Sequence, residues 1–475
     1  MASGQEYSFH QGEEEIKKAY QPEKIKIAPG VGEGQVLTVE PLFNIFSTVK
    51  GVQVKLYDSV WKETKSVKID ETKQSSIEYA KRIGGNLHVA IGNVKKRNFF
   101  IKHVAVDAAT LDIVSDSLLI NLEFSKKEEC YYHTASSPNG EYFGVVYILL
   151  NEKTKQTKTT ALLYDNKMSK LWERPLEHGL VHQMLVTDNG EVVTAALAED
   201  GESDGTIMLY NTADVHGAKH GSCIVKEEVQ QISLLQFNGG KILTTALEVQ
   251  GGGFMSTQLF TGFHVYLFNM KENRLAGNTY HAFTGDDIQV LENKLDPDLS
   301  FLKTNNLSPL DQIPTPWGGT VLYHRMWMEG YRNMKTGMTT NERVYSKGIL
   351  MVNIDTLGNI MWIRGIMQNN QNANWPAVGA DLILQNNNLY VVTNESKEES
   401  DEYTPNQLAK SSSSFLLANC ALSIYSFTPE GKGSKQMLAK DGKFLLFTPL
   451  YAVGNGKYYL LTGGTSPKMS SLTIQ

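Results

Sequence analysis

Histidine and cysteine side chains stand close together in one stretch, His-Gly-Ala-Lys-His-Gly-Ser-Cys at 216–223. On a helix, two histidines four positions apart would bind one metal ion. This stretch contains two glycines and lies between two predicted strands, and it lacks the glutamate of the zinc-protease motif. The same histidine spacing recurs at His178 and His182. We therefore interpret these histidines as loop residues, and the sequence predicts neither a metal site nor a cofactor.

Other stretches contain residue types that could bind a ligand or catalyse a reaction, but they lack the structural context that such a site needs. The alternating glycines at 28–34 precede a strand pattern, whereas a dinucleotide site needs a helix whose N-terminus holds the phosphate. The acidic stretch at 198–205 lacks the spacing of a calcium-binding EF-hand. No Gly-x-Ser-x-Gly sequence occurs, and no pair of carboxylates stands out from the strand pattern. The sequence therefore predicts no catalytic residue.

Composition limits the classes of partner. The chain has 475 residues, 41% of them hydrophobic, and a net charge of −6. This composition supports a large core, and the weak negative charge argues against a nucleic-acid partner. The three cysteines, an odd number, are far apart, which argues against a disulfide framework. No apolar run reaches the ~20 residues of a membrane span, so no transmembrane segment is expected.

A turn followed by an apolar strand is the repeated element of this chain. In Thr-Asp-Asn-Gly-Glu-Val-Val-Thr-Ala-Ala-Leu at 187–197, a tight turn precedes a strand of small and β-branched residues. The same pattern starts at Gly32, Gly84, Pro138, Asp188, Asn238, Trp317, Asn386 and Gly454. Between these turns lie further strands and turns with Asp, Asn, Gly and Lys. The repeating unit is therefore four antiparallel strands, which we call a, b, c and d.

Four short antiparallel strands repeated every ~40–50 residues are typical of β-propeller blades. We predict an all-β protein, a β-propeller of four-stranded antiparallel blades, with eight blades or alternatively seven. Short helices are expected only at 13–20 and 296–303. Because the last repeat lacks an outer strand, we expect N- and C-terminal strands to close the ring, with 23–28 as the N-terminal strand.

The predicted domain organisation is simple. A polar N-terminal arm, 1–22, precedes a single propeller domain, 23–475, with insertions at 286–316, 329–346 and 395–414. The serines at 411–414 and the acidic residues before them are interpreted as a solvated loop.

Two turn-and-tryptophan stretches, 165–172 and 355–362, resemble the repeats of PQQ-like and WD40-like propellers. The whole chain is most similar to uncharacterised propeller proteins of the bacterial cell envelope. The repeated Gly-His and Trp-Asp pairs of WD40 proteins and the adjacent cysteines of quinoprotein dehydrogenases do not occur. The resemblance thus implies a fold and supplies no catalytic residue. It implies a periplasmic or cell-surface location for a mature chain, and a cytoplasmic location is the alternative.

The connections between strands b and c should all leave one end of the propeller, which we call the b-to-c end. Those of the fifth to seventh repeats are long and contain aromatic residues, methionine and arginine, the types enriched at binding surfaces. The candidate partner- or ligand-binding residues are Trp317, Arg325, Trp327, Tyr331, Arg332, Met334, Trp375, Phe254 and Met255. Alternatively, these loops bury their aromatic residues against one another as a satellite core.

We therefore expect a non-catalytic binding or scaffolding propeller that recognises a protein or a glycan. It is expected to be monomeric within a larger assembly. The alternative is a glycan-acting hydrolase or lyase with its active site at the central channel. Clustered acids with shifted pKa values in that channel would favour the enzyme.

Overall fold

A computed structural model gives the structure of the protein. It describes residues 7–15, 25–43, 49–154, 156–176, 180–199, 206–217, 219–225, 229–237, 241–250, 259–272, 274–283, 307–332, 339–372, 380–396, 412–413, 420–442, 445–446, 450–463 and 467–475. These residues form strands and the turns between them, with no α-helix among them. Accordingly, this part of the chain contains no helix long and apolar enough to cross a membrane.

The first half of the chain forms four consecutive sheets after β1 (Tyr7–Glu15). Blade 1 contains β2 (Lys26–Pro29), β3 (Val36–Phe43), β4 (Val49–Tyr57) and β5 (Glu63–Asp70). Blade 2 contains β6 (Ser76–Ile83), β7 (Asn86–Lys95), β8 (Asn98–Asp107) and β9 (Ile113–Glu123). Blade 3 contains β10 (Glu128–Ser136), β11 (Tyr142–Asn151), β12 (Thr157–Asp165) and β13 (Lys170–Pro175). Blade 4 contains β14 (Leu180–Val186), β15 (Val192–Glu199), β16 (Thr206–Ala213) and β17 (Lys219–Val225).

The second half continues the same order. Blade 5 contains β18 (Val229–Phe237), β19 (Lys241–Gln250), β20 (Leu259–Asn269) and β21 (Arg274–Ala282). Blade 6 contains β22 (Leu307–Thr315), β23 (Gly318–Arg332), β24 (Thr339–Asp355) and β25 (Ile360–Asn372). Blade 7 contains β26 (Ala380–Gln385), β27 (Asn388–Ser396), β29 (Cys420–Phe427) and β30 (Gly433–Gly442), while β28 (Ser412–Ser413) pairs with blade 6. The closing sheet contains β1, β31 (Leu445–Leu446), β32 (Tyr451–Gly454), β33 (Lys457–Gly463) and β34 (Pro467–Ile474).

These sheets confirm the predicted fold, an all-β β-propeller. Among the described residues there are seven consecutive blades with four antiparallel strands each, which is the alternative of the two predicted blade numbers. An eighth sheet joins strands from both ends of the chain. The residues fall into two compact units. One comprises Gly12–Glu227 and Met270–Arg274, and the other comprises Met1–Gln11, Glu228–Asn269 and Leu275–Gln475.

The N-terminal strand of the closing sheet differs from the prediction. The stretch 23–28 was expected there, but β2 begins at Lys26 and pairs with β3 in blade 1. The partner of the C-terminal strand β34 is β1, and the Gln11 Nε2 donates a hydrogen bond to Thr462 Oγ1 of the same sheet at 3.2 Å. The helix predicted over 13–20 is wrong where the structure describes it, because β1 extends to Glu15. The helix predicted over 296–303 lies outside the described residues.

The turn that begins at Thr187 shows why the repeat folds as it does. Its Gly190 has φ of 76°, a backbone conformation that favours glycine. The Gly190 N–H donates to the Thr187 carbonyl and the Thr187 N–H donates to the Glu191 carbonyl, both at 2.9 Å. The turn therefore joins β14 to β15 as a hairpin, with Val186 opposite Val192.

Aspartates hold the turns between strands c and d. The Asp165 Oδ1 accepts hydrogen bonds from the backbone N–H groups of Lys167 and Ser169 at 2.9 and 2.8 Å. The Asp355 Oδ1 accepts hydrogen bonds from the backbone N–H groups of Leu357 and Asn359, both at 2.8 Å. Satisfying these exposed N–H groups is the usual role of aspartate in turns.

The core lies between neighbouring blades rather than within one sheet. Leu37 and Val54 of blade 1 pack with Val89 of blade 2, and each blade of a unit shares an apolar cluster of this kind with the next. The strands b and c supply most of these side chains, since they are covered on both faces.

Candidate functional site

Blade 6 is longer at the b-to-c end than its neighbours. Its strands β23 and β24 have 15 and 17 residues, whereas strands b and c of the other blades have 8 to 11. A surplus of about five residues per strand corresponds to about 15 Å of extended chain. Among the described residues, the paired strands of blade 6 therefore extend further at this end than the paired strands b and c of the blades on either side of it in the chain.

The connection between strands b and c of the sixth repeat was predicted to be a long loop, but its residues 325–332 and 339–345 are paired strands and form most of this projection. Trp327 lies opposite Tyr345 in the backbone register, and Tyr331 lies opposite Thr340. Two bulges interrupt the ladder, one after Arg325. The third strand, β25, continues alongside, with Gln371 opposite Tyr345. We call the paired segments 325–332, 339–346 and 367–372 the blade 6 extension.

The connection between strands b and c of blade 7 also reaches the blade 6 extension. Within it, Ser412 and Ser413 pair in parallel with Asn370 and Gln371 of β25. The prediction of a solvated loop at 411–414 is therefore wrong for these two serines. The b-to-c ends of blades 6 and 7 are thus joined by backbone hydrogen bonds.

The structure brings some of the predicted site residues together. Arg325, Trp327, Tyr331 and Arg332 all lie on β23, within the blade 6 extension. The predicted residues Phe254, Met255, Met334 and Trp375 lie outside the described residues.

Trp317 is separate from the other candidates. It lies in the turn between β22 and β23, at the opposite end of the blade from the extension. Its ring packs against the core between blades 6 and 7, and its Nε1 donates a hydrogen bond to Asn353 Oδ1 at 3.2 Å. The Asn353 side chain in turn donates to Thr320 Oγ1. These contacts give Trp317 a packing role in the blade.

A pair of carboxyl groups that the sequence did not reveal lies on the first strands of blades 6 and 7. Asp311 follows a bulge in β22, and Asp381 is the second residue of β26. The two side chains are hydrogen-bonded to each other. First strands of consecutive blades lie against one another in this unit, which is why two residues 70 positions apart meet.

Backbone N–H groups from blade 6, from blade 7 and from the residue before β32 surround this pair. The Asp311 Oδ2 accepts a hydrogen bond from Leu382 N–H at 2.8 Å, and its Oδ1 accepts one from Gln312 N–H at 2.8 Å. The Asp381 Oδ2 accepts one from Leu450 N–H, immediately before β32. Burial raises the pKa of Asp311. Burial and the adjacent Asp311 carboxyl raise the pKa of Asp381 well above its usual range.

This geometry suits the sharing of one proton better than the cleavage of a glycosidic bond. Hydrolases that act on glycans hold their two carboxyl groups ~5–9.5 Å apart, whereas hydrogen-bonded carboxyls have oxygen atoms ~2.5–3 Å apart. Carboxyl groups this close titrate as one pair. The oxygens of both side chains are also engaged by backbone N–H groups. The pair therefore joins strands to one another.

The described candidate metal ligands of the sequence lie in a turn and in the strand that follows it. His216 lies in an exposed turn, where its N–H donates to Asp214 Oδ1 at 2.9 Å, while His220 and Cys223 belong to β17. Within the described ranges no three histidine, cysteine or acidic side chains form a group that could hold a metal ion. Cys130 is a free thiol, and burial raises its pKa to about 12, which makes it a weak nucleophile at neutral pH.

Comparison with known proteins gives no family. No protein-family model matches the chain, and no curated protein matches it. Among solved structures, the chain is similar to the Dos1 propeller, with 9% identity, a TM-score of 0.45 and coverage of 98% of this chain and 94% of that one. It is also similar to the propeller domain of the Trilobed protease from Pyrococcus furiosus, with 9% identity, a TM-score of 0.35 and coverage of 84% and 93%. A third similar structure is the polysaccharide lyase Uly1, with 10% identity, a TM-score of 0.38 and coverage of 100% and 93%.

Proposed function

We propose that the protein is a binding or scaffolding propeller without catalytic activity. It recognises a protein or a glycan at the b-to-c end, where the blade 6 extension projects. A location at the cell envelope and membership of a larger assembly belong to the same proposal. The blade 6 extension is the observation that carries the proposal.

Residue types within the extension support recognition. Arg325, Trp327, Tyr331 and Arg332 follow one another on a single paired strand, so their backbone positions are fixed by the ladder rather than by a free loop. Trp, Tyr and Arg are the residues most enriched among those that dominate binding energy. A binding site on a strand is also better ordered before its partner arrives, which lowers the entropic cost of association.

The test removes the two aromatic residues together. Trp327→Ala with Tyr331→Ala should weaken binding by about 2–4 kcal/mol, or about 30- to 1,000-fold in Kd. The probes are a printed glycan array and a quantitative pull-down from native extract, followed by titration of whichever single species the wild type enriches. The melting temperature should hardly change.

A control variant removes exposed apolar side chains elsewhere. Leu118 and Leu357 are 59% and 70% exposed, so Leu118→Ala with Leu357→Ala should leave both binding and melting temperature unchanged. If the aromatic variant instead melts far below the wild type and its folded fraction binds normally, Trp327 and Tyr331 belong to a satellite core. The proposal would then be wrong for this end of the propeller.

The carboxyl pair gives little support to the alternative function, a glycan-acting hydrolase or lyase. Asp311 and Asp381 are too close together for the usual hydrolase arrangement, and they bind backbone N–H groups. Polysaccharide cleavage that is abolished by Asp381→Asn in a fully folded variant would favour the enzyme over the binding module.

A further inference from the structure

The hydrogen bond between Asp311 and Asp381 requires a proton. Two ionised carboxylates have only acceptor atoms, so a hydrogen bond between them forms only when one of them is protonated. The backbone shows which one. Asp311 accepts N–H groups with both of its oxygens, from Gln312 and Leu382, each at 2.8 Å. It is therefore the acceptor, and Asp381 carries the proton.

Among the residues that the structure describes around this pair, few groups can compensate its charge. β22 and β26 contain no other titratable residue, β18 contains none, and β32 contains only Tyr451. The residue paired with Asp311 on β23 is Leu322, and the one paired with Asp381 on β27 is Val392. A buried ion pair on blade 7, Glu395 with Lys435 at 2.9 Å, already balances its own charge.

The carboxyl pair also joins three consecutive sheets. Asp311 on blade 6 binds the N–H of Leu382 on blade 7, and Asp381 on blade 7 binds the N–H of Leu450, which immediately precedes β32 of the closing sheet. On the other side, the Gln312 side chain contacts Ser233 and the Leu234 carbonyl of blade 5. The first strands of blades 5 to 7 and the residue before β32 of the closing sheet are thus connected by side chains centred on the pair.

We propose that Asp311 and Asp381 form a proton-dependent latch between the first strands of blades 6 and 7 and the closing sheet. The latch is closed while Asp381 holds its proton. Loss of that proton leaves two adjacent carboxylates with no cationic residue among those that the structure describes on β18, β22, β26 and β32. Their repulsion loosens the contacts to Leu382 and Leu450. The contacts that this latch makes are therefore strongest at acidic pH.

The direction of the pH dependence follows from proton linkage. Burial raises the pKa of Asp381 in the folded protein, so between the unfolded pKa, ~3.9, and the higher folded pKa, the folded state binds the extra proton. Its contribution to stability is complete below the unfolded pKa and is lost as the pH rises through the folded pKa. Over that window the unfolding equilibrium constant rises about tenfold per pH unit because of this one proton.

Two matched substitutions test the latch. In Asp381→Asn the amide can donate to Asp311 and accept from Leu450 N–H at every pH. In Asp311→Asn the amide NH₂ must face either Gln312 N–H or Leu382 N–H, both of which are donors. The same chemical change should therefore stabilise the protein at neutral pH when it is made at position 381 and destabilise it when made at position 311.

The measurement is chemical denaturation of the full chain from pH 4 to pH 8. The unfolding constants of wild type and Asp381→Asn should agree near pH 4 and diverge in favour of the variant as the pH rises. Infrared difference spectra between wild type and Asp381→Asn, recorded as the pH rises from 4, should show the carbonyl band of a protonated carboxylic acid that only the wild type has and that disappears as Asp381 loses its proton. Identical pH profiles for these two proteins, or no such band, would overturn the proposal. If Asp311→Asn does not fold, the comparison of wild type with Asp381→Asn is still decisive.

Discussion

The indole of Trp362 covers Gly431, a residue of the next blade. Gly431 lies in the turn between strands c and d of blade 7 with φ of 77°, and a Cβ there would lie 2.8 Å from the Trp362 ring. The Trp362 Nε1 donates to the Pro429 carbonyl at 2.7 Å. Two residues further along β25, the Arg364 Nε donates to the Gly431 carbonyl at 2.9 Å. A Trp-x-Arg sequence on one outer strand thus binds the turn of the following blade.

The same relationship recurs between blades 3 and 4. Trp172 and Arg174 lie on β13, and a Cβ at Gly217 would lie 2.7 Å from the Trp172 ring and 2.9 Å from the Arg174 Nε. Gly217 has φ of 73° and occupies the position of Gly431 in its own turn, since its N–H donates to the carbonyl three residues earlier. The recurrence indicates a blade-to-blade contact that depends on glycine.

We expect alanine at either glycine to destabilise the protein by about 2–5 kcal/mol. The left-handed backbone costs an L-residue ~1–2 kcal/mol, and the forced displacement of the tryptophan adds ~1–3 kcal/mol. Denaturant unfolding of Gly431→Ala and Gly217→Ala measures the change in the free energy of unfolding.

Gly84 provides the matched control. Its φ is 59° and nothing lies within 4 Å of an added Cβ. Gly84→Ala should therefore show only the backbone cost, ~1–2 kcal/mol. Equal losses for all three variants would mean that the contact with tryptophan contributes nothing.

The sequence predicted the repeating strands because their turns are local. Asp188, Asn189 and Gly190 specify a tight turn whatever surrounds them, and strands of alternating small and β-branched residues follow. The turns between strands c and d were harder to predict from the sequence. Trp61, Leu111 and Met168 adopt positive φ in blades 1 to 3, whereas blades 4, 6 and 7 have a glycine with positive φ in the corresponding turn. Because these side chains are buried, packing compensates a backbone conformation that propensity disfavours.

The site was predicted only in part, for two physical reasons. The stretch from Arg325 to Tyr345 contains Trp, Tyr, Thr and Val, which suit a strand, but its pairing depends on the register with β25 and on Ser412 from blade 7. The carboxyl pair needs two residues from different blades, and its signal, an aspartate that is the one acidic residue of each first strand, is visible only when blades 6 and 7 are compared.

The C-terminal strand should be indispensable for stability. β34 lies between β1 and β33 in the closing sheet, and its Met469, Leu472 and Ile474 are 2%, 0% and 1% exposed. Truncation before Met469 removes these side chains and the ladder on both sides. Each buried side chain contributes ~1.5–3 kcal/mol. The free energy of unfolding, measured with denaturant, should therefore fall by about 5 kcal/mol or more.

Removal of the exposed Gln475 alone is the control for this truncation, and it should leave the unfolding midpoint unchanged. A longer truncation that melts like the wild type would mean that the closing sheet contributes nothing to the stability of its unit.

Two buried histidines of blade 2 should give the protein a second pH dependence, opposite in sign to that of Asp381. His88 Nδ1 and His103 Nε2 are 3.1 Å apart, and the rings stack with centroids 5.2 Å apart. Burial lowers the pKa of His88. Burial, with His88 as a second cause, lowers the pKa of His103 to about 4, although Asp116 acts in the other direction. Both rings are therefore neutral in the folded protein at pH 7.

Because the unfolded chain binds these protons more tightly, the contribution of His103 is complete above its unfolded pKa, ~6.5, and is lost as the pH falls toward 4. The wild type should lose about 1.4 kcal/mol per pH unit across that window relative to His103→Gln, or about 3 kcal/mol in total. Denaturant unfolding of both proteins between pH 7 and pH 4 measures the difference. The control is His216→Gln, in an exposed turn, and its free energy of unfolding should change with pH as that of the wild type does. If His103→Gln also keeps the wild-type pH dependence, the pKa of His103 is the same in the folded and the unfolded protein, and burial of the pair does not control its charge.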